Sequence, residues 1–180
     1  MPIPNQLIDE ILERSLNEFL AVQGVELAAG VSERNSCARL GCILERNAIA
    51  AGRYFADPEY NRKQGGRIKT ILDEQMHEIV IVADLILHSR GAHVAEDDLV
   101  AIEMKKVGRP KAEKVADRNR LRAMTKGSYD SIWSNDGTTH PEHVCGYHLG
   151  VFIELSASKR TAHIEYFRTG DLIGSTARTF

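Results

Sequence analysis

No apolar stretch in the chain approaches the ~18–20 uninterrupted residues that a bilayer-spanning helix needs, because charges break every long run. The first residues, MPIPNQLIDE, lack the basic-then-apolar order of an export signal. Both absences argue against a membrane or secreted protein and predict a soluble, cytoplasmic one. Cysteine is scarce: Cys37, Cys42 and Cys145 form an odd set with no CxxC pair. A disulfide framework is therefore not expected, and free thiols suit a reducing compartment. Internal repeats and low-complexity tracts are also lacking, which excludes a solenoid. Tryptophan occurs once, as Trp133. With Tyr129 nearby it reads as a loop anchor, base stacking being the alternative.

What is present suffices for one ordinary domain: 180 residues, 43% of them hydrophobic. Leu7, Ile8, Ile11, Leu12, Leu16, Phe19 and Leu20 recur every three or four residues and predict an amphipathic helix over 5–20. Its apolar stripe suits core packing, with a partner or dimer surface as the alternative. A second helix is expected from an N-cap at Ser32 through Glu45. On it Glu33 shares a stripe with Cys37, Leu40 and Leu44, so this carboxylate is carried toward the protein. A favourable helix dipole is the simpler account of an acid there.

The segment Glu59-Tyr60-Asn61-Arg62 predicts a short strand, and the glycine-containing Lys63 to Arg67 a loop. Glu78 to His88 is a β-branched, mostly apolar run that predicts one buried strand, and Leu99 to Val107 predicts its hairpin partner. Residues 111 to 126 suit a helix with Val115, Leu121, Ala123 and Met124 inward. Residues 127 to 143 read as loop, and Gly150–Leu155 and Ala162–Phe167 as closing strands. The small, polar tail from Gly170 is expected to fray.

Three charges interrupt the two central apolar runs: Asp84 in the first, Glu103 and Lys105 in the second. Buried charges are costly unless they are paired or bind a metal. Residues i and i+2 of a strand share a face roughly 6.6 Å apart, so Glu103 and Lys105 project together and Met104 projects oppositely. If the hairpin register sets Asp84 opposite them, two carboxylates and an ammonium converge. Such a set suits a hard cation, with Glu33 completing the shell and the lysine acting on a polarised water or on developing phosphoryl charge. A buried salt bridge from Lys105 to either acid is the competing account.

Asp84 followed after 18 residues by Glu103-x-Lys105, each in an apolar strand, resembles the PD-(D/E)xK nuclease superfamily, the restriction-endonuclease-like fold. Further blocks look like its small bacterial members: Ser32-Glu33-Arg34 opening a helix, Glu59 to Arg62, Ala83 to Gly91, Leu99 to Lys106, Asp117…Leu121…Met124-Thr125 and Tyr147 to Glu154. Ala83 stands where a proline often precedes the aspartate, and 128 to 143 forms a longer insertion.

The resemblance implies an α/β fold whose mixed sheet, a three-stranded meander plus further strands, is flanked by helices. It places a nuclease-like domain at 31–169, a helical extension packed on the core at 1–30 and a tail at 170–180. It also implies a Mg²⁺- or Mn²⁺-dependent endonuclease in which Asp84, Glu103 and Glu33 ligate the metal and Lys105 is the catalytic lysine. A catalytically silent nucleic-acid- or protein-binding module of the same fold is the alternative.

DNA is the expected partner. Between Lys105 and Lys126 nine basic residues face two acids, a net +7 in a chain whose total is −2. Such a segment fits a polyanion, although a solvated basic helix face has the same composition. Lys106, Arg109 and Lys111 in it, with Asn61 and Arg62, are the candidate phosphate contacts. A homodimer stays open, since one site per chain would need a second copy to cut both strands. His140, His143, Cys145 and His148 offer zinc-type donors in no standard spacing. His88 is expected to cap its strand or face solvent.

Overall fold

The computed structural model describes residues 3–62, 70–72, 78–80, 82–127 and 145–180. Its elements run α1 (Asn5–Ala28), α2 (Glu33–Asn47), β1 (Phe55–Pro58), β2 (Thr70–Leu72), β3 (Glu78–Val80), β4 (Leu85–His88), β5 (Asp98–Lys106), α3 (Lys111–Met124), β6 (Leu149–Ser156), β7 (Thr161–Arg168) and β8 (Asp171–Thr179). Six strands form one sheet in the order β1-β4-β5-β6-β7-β8, and β2 and β3 pair separately. Every neighbour pair in the large sheet is antiparallel except β5 with β6, which is parallel. The parallel step follows from the crossover through α3, since a parallel connection needs a long return. The fold is thus α/β with a mixed six-stranded sheet flanked by three helices, as expected.

The strands are buried on both faces where helices cover them. One core joins Ile8, Leu12, Leu16 and Phe19 of α1 and Leu40 and Leu44 of α2 to Leu85, Leu87, Val100, Ile102, Met104, Val151 and Ile153. The other joins Leu121 and Met124 of α3 to Ile86, Ala101, Phe152 and Phe167. The alternation along β5 puts Met104 under α1 and α2, while Ala101 and Glu103 lie on the α3 side. At Gly150 the helix sits so close that a Cβ would lie 3.1 Å from Thr125 and 3.3 Å from Leu121. Ser32 caps α2 as its sequence predicts, accepting a hydrogen bond from the Asn35 amide at 3.2 Å.

Four expectations are corrected. The single strand expected over Glu78–His88 is two: β3 pairs with β2, and only Leu85–His88 joins the large sheet. Between them the Asp84 carbonyl accepts from the Glu59 amide and the Asp84 carboxylate from the Met104 amide, which substitutes side-chain and turn bonds for a continuous ladder. Glu59 to Arg62 follows strand β1 instead of forming one; Glu59 has φ of 53°, which ends the extended run. Val115 is 44% exposed, because the inner face of α3 begins on Asp117 rather than on its first apolar residue.

The tail from Gly170 is not frayed. Thr169 and Gly170, with φ of 52° and 88°, turn the chain tightly back so that β8 pairs along all of β7. Arg178 fastens the far end to Glu13 and to the Tyr166 hydroxyl. Ladder bonds and two turn residues, not an apolar pattern, hold this strand.

Because Phe19 is wholly buried between α1 and the sheet, Phe19→Ala is expected to destabilise the protein by about 3–5 kcal/mol. Val22, one turn on and 60% exposed, should change it by no more than about 0.5 kcal/mol as Val22→Ala. Urea unfolding midpoints check both.

Candidate active site

Strand pairing decides where the central charges meet. Leu85 of β4 lies opposite Ile102 of β5, so the residue before β4, Asp84, comes alongside Glu103. The Asp84 carboxylate then reaches β5 itself: its Oδ2 accepts from the Met104 amide at 2.9 Å and from Lys105 Nζ at 3.1 Å. The expected convergence of Asp84, Glu103 and Lys105 is therefore present.

Two residues of α3 extend the group. Lys105 Nζ lies 3.2 Å from Asp117 Oδ2, and Arg120 Nη1 lies 3.1 Å from Asp117 Oδ1 and 2.5 Å from Glu103 Oε1. Asp84, Lys105, Asp117, Arg120 and Glu103 form one connected chain of acidic and basic side chains between the sheet and α3. Asp117 and Arg120 were not singled out for this role from the sequence. The available signal was an opposite-charge pair at i, i+3 on a helix that follows the ExK strand.

Glu103 is the most confined member. Its side chain has no solvent exposure, and among the described residues its Oε2 has no hydrogen-bond partner. Burial raises its pKa to about 8 against the opposing pull of the Arg120 guanidinium, with Asp84 and Asp117 adding to the rise. Burial acts against the Lys105 ammonium, but Asp84 and Asp117 outweigh it and its pKa is raised. Lys105 is accordingly a cation at neutral pH. Arg120 behaves likewise, its desolvation outweighed by Glu103 and Asp117.

Glu33 enters from the first turn of α2. Its carboxylate accepts from the Lys106 amide at 2.9 Å and takes the Arg109 guanidinium in a two-point grip at 3.1 and 3.0 Å. Burial would raise the Glu33 pKa, yet Arg109 and the Lys106 amide hold it below the ordinary value. Glu33 and Asp84 line a common cavity of about 240 Å³ with Cys37, Glu59 and Arg109, and Glu103 is not part of its lining. The buried Cys37 thiol is pushed well up by desolvation and then by Asp84, Glu103 and Glu33, against Lys105.

The basic segment is less free than its composition implies. Lys114 pairs with Glu154, Arg118 with Glu165 and Arg109 with Glu33, while Lys106 Nζ donates to the Gly30 carbonyl. Of the candidate phosphate contacts, Lys111 and Arg62 are exposed and Asn61 is half-buried. The zinc-type set is only partly described: His140 and His143, like Tyr129 and Trp133, lie outside the described residues. Cys145 is buried, and His148 Nε2 sits 2.9 Å from Glu96 Oε2. His88 ends its strand as expected but does not face solvent; it is 1% exposed, bound to Asp57 and packed on the Tyr60 ring.

Among the described residues no helix is long and apolar enough to cross a membrane. No family model, curated protein or solved structure matches the chain.

The ion-pair chain makes a sharp energetic claim. Arg120→Met leaves the Glu103 carboxyl buried without its closest cation and should cost about 3–5 kcal/mol. Adding Glu103→Gln should recover much of that loss. Chemical denaturation of the two single variants and the double variant measures the coupling, and strictly additive losses would refute it.

Proposed function

We propose that this chain is a metal-dependent nuclease that hydrolyses phosphodiester bonds of DNA. The observation that carries the reading is the meeting of Asp84, Glu103 and Lys105 at one end of β4 and β5, with Glu33 on the cavity that Asp84 lines. The element order supports it as well: α2, three antiparallel strands β1, β4 and β5, then α3, then β6 parallel to β5. A three-stranded meander extended by further strands and flanked by helices is what the resemblance to the PD-(D/E)xK superfamily implies.

Asp84, Glu103 and Glu33 offer only oxygen donors, the type a hard divalent cation takes, and among the described residues Glu103 Oε2 is a buried acceptor with no hydrogen bond. Their carboxylate oxygens are not all within 4.8 Å of one another, so the three would have to draw together to hold Mg²⁺ or Mn²⁺. When bound, the ion supplies a Lewis acid that activates water and offsets phosphate charge.

Lys105, kept protonated by Asp84 and Asp117, places a positive charge for the oxygen atoms of the phosphorus transition state. Its protonation favours this role over that of a base. Asp117 and Arg120 act through their neighbours as positioning residues, one steering Lys105 and the other Glu103. Lys106, Arg109, Lys111, Asn61 and Arg62 lie in segments next to this end of the sheet and would guide the phosphate backbone.

One observation favours a silent binding module instead: Glu33, Asp84 and Glu103 each already have a cationic partner. Turnover separates the two readings. With millimolar Mn²⁺ or Mg²⁺, wild type should cut plasmid DNA. Lys105→Ala should be slower by about 100-fold or more, and Asp84→Asn should be inactive. No cleavage of plasmid, single-stranded DNA or RNA under these conditions would refute the nuclease, and undiminished cutting by Lys105→Ala would expose a contaminant.

A further inference from the structure

At the end of β4 and β5 remote from Lys105 lies a second cluster that the proposed hydrolysis does not use. His88 ends β4 opposite Asp98, the first residue of β5, with a register shift between Leu87 and His88. Such a bulge re-aims side chains, and here it accompanies three buried donors side by side. His88, Asp97 and Asp98 are 1%, 3% and 2% exposed. A ring nitrogen of His88 and one carboxylate oxygen from each aspartate lie within 4.8 Å of one another.

The surroundings of these donors are those of a ligand set. His88 Nε2 lies 2.8 Å from Asp57 Oδ2, a carboxylate behind the imidazole of the kind that fixes ring orientation and raises ligand basicity. Arg90 in turn grips Asp57, with Nε 2.7 Å from Oδ2. Asp97 Oδ1 accepts from the Ser89 amide, the Ser89 hydroxyl and the Gly91 amide at 3.1, 2.6 and 2.8 Å. Those bonds orient the carboxylate and do not involve its Oδ2. The Asp98 carboxylate shares a hydrogen bond with the buried Tyr147 phenol.

Charge points the same way. Asp57, Asp97 and Asp98 set three carboxylates around His88, and Arg90 is bound to Asp57. Carboxylates gathered about an imidazole in this way attract a divalent cation. We propose that His88, Asp97 and Asp98 form a structural metal site for a divalent ion of borderline softness, Zn²⁺ above all, distinct from the proposed catalytic site. One imidazole with two carboxylates suits Zn²⁺, whereas Mg²⁺ prefers oxygen donors alone. The ion would clamp the bulged start of the β4–β5 pair and close the loop from Ser89 to Asp97.

The test is Zn²⁺ binding to the full chain, by calorimetric titration and by metal analysis after dialysis. Asp84→Asn serves as background so that the proposed catalytic carboxylate does not contribute. Wild type and Asp84→Asn should each retain one Zn²⁺ per chain, and His88→Gln should lose it. Asp57→Asn, which leaves all three ligands in place, should bind about 10–100-fold more weakly.

Should His88→Gln fail to fold, visible ligand-field bands of Co²⁺ on wild type, diminished in Asp57→Asn, give the same decision. Absence of retained Zn²⁺ and of Co²⁺ bands in wild type would overturn the proposal. So would Zn²⁺ that survives His88→Gln but is lost in His148→Ala. Neither result bears on cleavage by the wild-type chain, so the two readings stand or fall separately.

Discussion

The buried carboxylate of Glu103 is the constraint around which the molecule is arranged. A side chain with no solvent exposure on a central strand has to be compensated from within the protein, and Arg120 supplies the compensation from α3. Arg120 is held by Asp117, Asp117 meets Lys105, and Lys105 meets Asp84. The apolar contacts of α3 with Ala101, Phe152 and Phe167, and its close approach to Gly150, set its distance from the sheet. The distances of the ion-pair chain fix both the register and the rotation of α3.

The same arrangement explains how carboxylates from opposite faces of the sheet come to one end of it. Glu103 lies on the α3 side of β5, and Glu33 comes from α2 on the other. Asp84 sits at the seam, outside the regular part of β4, where its carboxylate can turn over the end of the ladder to the Met104 amide. In the proposed nuclease, this seam is where a metal would meet oxygen donors from three elements. The alternating cations along it, Lys105, Arg109 and Arg120, offset the mutual repulsion of these acids.

The basic segment shows why charge counts mislead when read along the chain. Its +7 is a property of the sequence, but folding brings Glu154, Glu165, Glu33 and Glu103 beside it. Much of the apparent polyanion footprint is internal electrostatics of the α3 layer. Lys111 at the start of α3 and Arg62 after β1 stay exposed, so any backbone contact would be narrower than the composition implies.

The α2 cap, the three helices and the strand over Leu99–Lys106 were legible in the sequence because local periodicity and capping produce them directly, while the mixed sheet was legible only through the family resemblance. The shared face of Glu103 and Lys105 was legible too, from the two-residue period of a strand, whereas the register that sets Asp84 beside them comes from the β4–β5 pairing. Other features depend on contacts between distant segments. The break at Asp84 needs Glu59 and Met104 as partners, and the pairing of β8 needs the left-handed turn at Thr169 and Gly170. Asp117 and Arg120 join the site only because the crossover sets α3 against β5. His88, Asp97 and Asp98 become neighbours only through a bulge that no pattern in β4 announces. The sequence determined which charges would be buried near one another; tertiary structure decided which partner each received, because burial makes an unpaired charge costly while leaving its choice of partner to geometry.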